Sequence, residues 1–221
     1  LPRILDELEI STAHVVAHSL GGQVALVFAA NHPDRVRSLT LVDTGPTLRS
    51  DASQHVVTET DEAFRSFPSV DAYRRVLTQL HPFAEAALLD EMARASLRRR
   101  IDGRFETALD PGVLGGSRGA ATLDDPHAAR IAREERLWES YREVNVPVLV
   151  TRGRLSSILD EGIARKMTDG AFESRRLVQF EGAGHAIMID ASRDFSTELR
   201  EFLESIDTPD GPRTRPETLT A

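Results

Sequence analysis

The sequence predicts an α/β fold: a mostly parallel sheet flanked by helices and interrupted by a helical insertion. Three observations lead there. Short, apolar, β-branched runs alternate with helical spacings at both ends of the chain. Residues 51 to about 143 contain no run that reads as a strand. A Gly-Gly turn follows the first strand-like run, and a Gly-Ala-Gly-His loop follows the last. Strands that alternate with helices pair in parallel, because a parallel pair needs a long crossover.

The elements follow in chain order. Leu1, Ile4, Leu5 and Leu8 have helical spacing. Residues 13–18, Ala-His-Val-Val-Ala-His, read as a buried strand. Gly21-Gly22 comes next, then a helix rich in Ala, Leu and Val over 23–31, ended near Pro33. A second strand covers 36–43 and is broken by Thr44-Gly45-Pro46. Helical spacing marks 63–67, 70–80, 83–100 and 127–144, and four glycines make 112–119 a loop. Strand character returns over 146–151, followed by a helix over 160–168 and a strand over 175–180. Residues 194–206 form the last helix. The expected organisation is a core in two parts, 1–50 and 144–206, around an insertion over 51–143. A Pro-containing tail, 207–221, is expected to be disordered.

Composition narrows the function. The chain has 221 residues, enough for one domain with an insertion. Its net charge of −8 and its lack of a basic block argue against nucleic acid as a partner. There is no cysteine, so no thiol nucleophile or thiolate metal site exists. No apolar run is long enough to span a membrane, and residues 1–6 do not resemble a signal peptide. The expectation is a cytoplasmic protein. Only Lys166 among the basic residues is lysine, which GC-rich codon usage explains.

Chemistry concentrates at two places. Ala17-His18-Ser19-Leu20-Gly21-Gly22 lies between a strand and a helix. A nucleophile elbow is a tight turn that needs small residues two before and two after its serine, and Ala17 and Gly21 fill those places. Such a turn exposes the Ser19 hydroxyl and aims the Leu20 N–H at a developing oxyanion. The same six residues also fit a Gly-rich strand–helix turn with no catalytic use. His185 stands in a loop after the last strand, later in the chain than Ser19, which suits a base approaching that serine. His18, beside the serine, is expected to point the other way and to pack. His14, His32, His55, His81 and His127 show no metal-ligand spacing, so no metal is expected. Arg98-Arg99-Arg100 reads as a solvated helix face, and Trp138 and Tyr141 as residues packed onto the sheet. Ile187 and Met188 suit either a weak acyl pocket or core packing.

On these residues the chain resembles the α/β-hydrolase family. The resemblance runs from about Leu1 to Ile206: the Ser19 turn, the strand ending Leu41-Val42-Asp43, a helical cap, the Val148-Leu149-Val150-Thr151-Arg152-Gly153 strand, and the Gly-His loop. It implies a serine nucleophile, a histidine base, a carboxylate and no cofactor. Ala17 departs from the glycine usual in that place. Two further departures matter. The family carries about four strands before the elbow, one of whose loops supplies a second oxyanion N–H. This sequence starts at Leu1, one helix before the elbow, so an N-terminally truncated fold is expected. The acid commonly follows the strand after the cap, but Ser157 stands in that place within Arg152-Gly153-Arg154-Leu155-Ser156-Ser157-Ile158-Leu159. Some members place it after the strand that follows the elbow helix, where Asp43 stands. Asp43 also suits a turn residue, and Asp160 is a rival that reads as a helix N-cap.

The expected function is a serine hydrolase acting through an acyl-enzyme on a small-molecule ester, lactone, thioester, amide or activated C–C bond. A cap of about 90 residues suits a small or medium-sized substrate under a lid. The alternative is a truncated or degenerate hydrolase that binds a ligand or partner without catalysis. A bare sheet edge also makes a homo-oligomer an expectation.

Overall fold

The computed structural model describes residues 1–49, 66–109, 126–170 and 174–208. Helix α1 (Pro2–Glu7) leads to β1 (Ala13–His18), α2 (Leu20–Asn31) and β2 (Val36–Val42). The insertion carries β3 (Ser66–Phe67), α3 (Val70–Leu80), α4 (Ala86–Ala95), β4 (Leu97–Arg99), β5 (Phe105–Thr107) and α5 (Pro126–Glu143). The chain returns through β6 (Val148–Gly153), α6 (Glu161–Lys166), β7 (Arg175–Phe180), α7 (Ile187–Asp190) and α8 (Ser192–Asp207).

Four parallel strands form the main sheet in the order β1-β2-β6-β7. The two inner strands are buried almost throughout, which explains their continuous apolar runs. Alternation splits their side chains between two layers. Leu39, Leu41, Val148 and Val150 join α2, α5 and α6 through Leu26, Phe28, Leu137, Trp138, Tyr141 and Met167. Val42 faces the other layer with Phe180, Ala183, Ile187 and Phe195. The Tyr141 hydroxyl donates to Met167 O at 2.5 Å, and Arg175 donates to Tyr141 O and Val144 O, so the end of α5 is tied to the sheet.

The insertion differs from its all-helical expectation. Helix α4 stops at Ala95, and Leu97–Arg99 becomes the edge of a three-stranded antiparallel sheet, β3-β5-β4. Arginine favours helices, and three residues are too short to show a period of two. Pairing with residues 105–107 decides the matter, with Arg98 and Arg100 both on Glu106 at 2.9 and 2.7 Å. Of the expected helix over 63–67, residues 63–65 lie outside the described residues and Ser66–Phe67 is strand. The glycine loop over 112–119 and the tail from residue 209 also lie outside the described residues. The insertion has its own small core of Phe67, Tyr73, Leu77, Leu89 and Ala93.

One face stays bare among the described residues. Leu20, Val24 and Val27 run along α2 at 67%, 54% and 41% exposure. Val16 on the outer strand β1 is exposed too, on the opposite face from Val15 and Ala17, which pack toward α2. Ile4 and Leu8 of the first helical segment are exposed as well.

Candidate active site

Parallel strands all end on one side of the sheet, so the residues that follow β1, β2, β6 and β7 share one edge. Ser19 follows β1 and adopts φ 54°, ψ −127°. A side chain there is strained by about 1–3 kcal/mol, a strain that clusters at functional turns. Ser19 is also the N-cap of α2, so the Leu20 N–H belongs to the first turn, which has no intrahelical acceptor and carries the positive end of the helix dipole. The steric reason for the glycines differs from expectation. A Cβ on Gly21 meets nothing within 4 Å, whereas one on Gly22 meets Thr44 Cγ2 at 2.2 Å and Ala17 O at 3.2 Å. The crowding falls where the helix turns back over the end of β2, one residue later than the elbow rule places it.

Asp43 follows β2 with φ 47°, a left-handed turn that aspartate tolerates. Its side chain is fully buried, yet each oxygen finds a donor. Oδ1 accepts from Gly153 N at 3.3 Å. Oδ2 accepts from Ser156 Oγ at 2.5 Å and lies 2.8 Å from His185 Nδ1. Ser156 Oγ in turn accepts from Ile158 N and Leu159 N, so its proton is directed at Asp43. A buried carboxylate is tolerable only with such partners. Gly153 is glycine because the loop carrying His185 crosses it: a Cβ there would sit 2.1 Å from Gly184 O. With Nδ1 on Asp43, the proton of neutral His185 sits on Nδ1 and Nε2 is the acceptor. Among the described residues neither His185 Nε2 nor Ser19 Oγ makes a hydrogen bond, so the structure does not join these two directly.

His18 is not turned away as expected. Its Nε2 donates to His185 O at 3.0 Å and the two rings lie 4.3 Å apart. Strand alternation fixes its face, but at the strand's end a loop from a distant strand folds over that face. Burial first, and then the nearby His185, hold the His18 pKa below the ordinary histidine value. Ser156 joins the site through Asp43, a role that nothing in its local sequence signals. Ile187 is fully buried among Val42, Phe180, Ala183 and Phe195, with Met188 partly buried against them, so of the two readings Ile187 takes core packing. Asp160 caps α6, accepting from Gly162 N and Ile163 N, and takes no part in the cluster. Arg98 and Arg100 are engaged by Glu106 and are neither a helix face nor an open anion site.

A second Ser–His–Asp chain occurs near the other end of the sheet. His14 Nδ1 lies 2.7 Å from Ser38 Oγ and its Nε2 lies 3.1 Å from Asp207 Oδ1. Ser38 is fully buried in the middle of β2, with no turn to expose its hydroxyl. Hydrogen-bond order alone does not make a nucleophile. No cluster of metal-ligating side chains occurs among the described residues, and no helix there is long and apolar enough to cross a membrane.

The sequence pattern of the alpha/beta hydrolase fold matches residues 1–192. The chain belongs to that family. It is 33% identical over 205 residues to the dihydrolipoyllysine-residue acetyltransferase component of the acetoin cleaving system of Cupriavidus necator, covering 91% of this chain and 48% of that protein. It is 26% identical over 204 residues to 2-hydroxymuconate semialdehyde hydrolase of a Pseudomonas species, covering 92% of this chain and 66% of that protein. The chain thus spans about half to two thirds of these relatives' length. The crystal structure of E-2-(acetamidomethylene)succinate hydrolase superposes with a TM-score of 0.71 at 21% identity, over 91% of this chain and 70% of that one. Alpha/beta hydrolase architecture accounts for the parallel sheet, the helices on its faces and the insertion after β2.

Proposed function

We propose that this alpha/beta hydrolase chain is a serine hydrolase with Ser19 as nucleophile, His185 as base and Asp43 as the acid that orients it. The observation that carries the reading is the 2.8 Å contact between Asp43 Oδ2 and His185 Nδ1, at the same sheet edge as a strained, helix-capping Ser19. Asp43 holds His185 in the tautomer whose Nε2 accepts a proton. Ser19 Oγ attacks a carbonyl carbon as its proton passes to Nε2, and the oxyanion forms against Leu20 N–H. His185 then protonates the leaving group, and water, deprotonated by the same ring, releases the acid. Catalytic hydrogen bonds are often formed only in the substrate complex, so a Ser19–His185 bond is not required in the free protein. The substrate class is a small carbonyl compound: an ester, lactone, thioester, amide or activated C–C bond. Relatives named as hydrolases of 2-hydroxymuconate semialdehyde and of 2-(acetamidomethylene)succinate support it. The insertion over 51–143 serves as the cap above the site.

A fluorophosphonate probe applied to the full-length protein tests this. Labelling of the parent is expected, with a loss of at least roughly 10³-fold in Ser19→Ala. A parent that does not label, or labelling that survives the substitution, overturns the assignment.

A further inference from the structure

The loop that carries His185 is gripped from two sides. Asp43 holds the ring from beneath. From above, the corner between α3 and α4 rests on the loop and on the helix after it. Asp190, at the end of α7, is only 6% exposed and uses both its oxygens. Oδ2 accepts from Gly184 N at 2.8 Å, the residue before His185. Oδ1 lies 2.9 Å from Nδ1 of His81, the C-cap of α3, itself 14% exposed.

Three neighbouring contacts follow the same path. Gly182 has φ +65°, and a Cβ on it would meet the Phe83 ring at 3.6 Å. Ile189 packs into the insertion's own core. Arg193 pairs with Glu85 across the same junction. The corner over residues 81–85 is therefore seated on residues 182–193, and among the described residues Asp190 alone bonds both to that corner and to the backbone beside the base.

We propose that Asp190 is a positioning residue that couples the seating of the cap to the placement of His185. It rests on the reading of Ser19 and His185 as the reacting pair. When the cap is seated, His81 fixes the Asp190 carboxylate, and that carboxylate fixes the Gly184 peptide. When the cap lifts, Asp190 loses its outer partner, and the carboxylate that holds the Gly184 peptide is no longer itself held in place. Small displacements matter, since misplacing a reacting group by about 1 Å can cost on the order of 10²-fold in rate. The base is thus completed by a closed cap, which favours substrates that the cap can enclose.

The test uses fluorophosphonate acylation of Ser19 in the full-length protein, resolved into the maximal rate and the half-saturating probe concentration, beside a thermal melt. Asp190→Ala should lower the maximal rate by roughly tenfold or more while half-saturation moves less than about twofold. His81→Ala should lower it by roughly three- to tenfold, and the double variant should be no slower than Asp190→Ala, because both cut one chain of contacts. His81→Gln, which keeps an N–H donor for Asp190, should restore most of the rate. A purely structural role predicts lower melting temperatures with unchanged maximal rates in the folded fraction, and that result overturns the proposal. Independent, multiplying losses in the double variant also overturn it. If Asp190→Ala does not fold, the contrast between His81→Ala and His81→Gln decides alone. A parent protein that fails to label sinks the Ser19–His185 reading itself, whereas a parent that labels beside unaffected variants sinks only the coupling.

Discussion

Replacing Asp43 by asparagine changes one atom's chemistry at the centre of the site. The carboxylate takes three donors: Ser156 Oγ and His185 Nδ1 on Oδ2, and Gly153 N on Oδ1. An amide has one acceptor and one donor end, so it cannot satisfy all three. With its oxygen toward Ser156 and His185, its NH2 confronts the Gly153 N–H, and a buried donor is left unpaired at about 1–3 kcal/mol. With the amide flipped, the NH2 confronts Ser156 Oγ, whose lone pairs already serve Ile158 N and Leu159 N. His185 Nδ1 must then become an acceptor, which moves its proton to Nε2, the atom needed for the Ser19 proton. Either way the negative charge that balances an imidazolium is gone. The expected loss in turnover is roughly 10²- to 10⁴-fold, or about 3–5 kcal/mol of activation free energy. The stability cost should lower the melting temperature by about 2–4 °C per kcal/mol for a chain of this size. Ester turnover and probe acylation, corrected for the folded fraction from a melting curve, measure both. Asp160→Asn is the control: it touches only a helix cap worth about 1 kcal/mol and should leave turnover intact. A folded Asp43→Asn protein that acylates within about threefold of the parent refutes the assignment.

Two further outcomes are expected. Because His18 binds protons less readily when folded than its ordinary value of about 6.5 allows, the unfolded chain takes up more protons below that pH. The melting temperature should fall as pH drops through about 6.5 toward the folded value, and less steeply in His18→Gln, which keeps a donor for His185 O; equal slopes remove His18 from that role. Gly153→Ala drives a methyl to 2.1 Å from Gly184 O and 2.4 Å from Ala183 O, both backbone atoms. The loop bearing His185 must move, so acylation should collapse together with stability, and a fully active Gly153→Ala protein contradicts the crowding described here.

The sequence alone determined the elements whose signal is local. Residues 13–18 and 175–180 are strands because short segments carrying Val15, Val16 and Val178 between turn residues suit a pleated surface, which here is only partly buried. Residues 70–80 are a helix because their apolar residues recur every three or four positions and Ser69 caps the first turn. Order along the chain then implied a parallel sheet, and a parallel sheet implies that Ser19, Asp43 and the Gly-His loop lie on one edge. Tertiary structure decided what touches what on that edge. Asp43 and His185 are 142 positions apart, and nothing near either residue states that Ser156, not Ser157, joins them. The three-residue strands of the insertion, His18 against His185 and Asp190 between His81 and Gly184 are decided in the same way. A hydrogen bond is set to a few tenths of an ångström by the packing of every element between its partners, whereas periodicity and turn chemistry record only a residue's nearest neighbours in the chain.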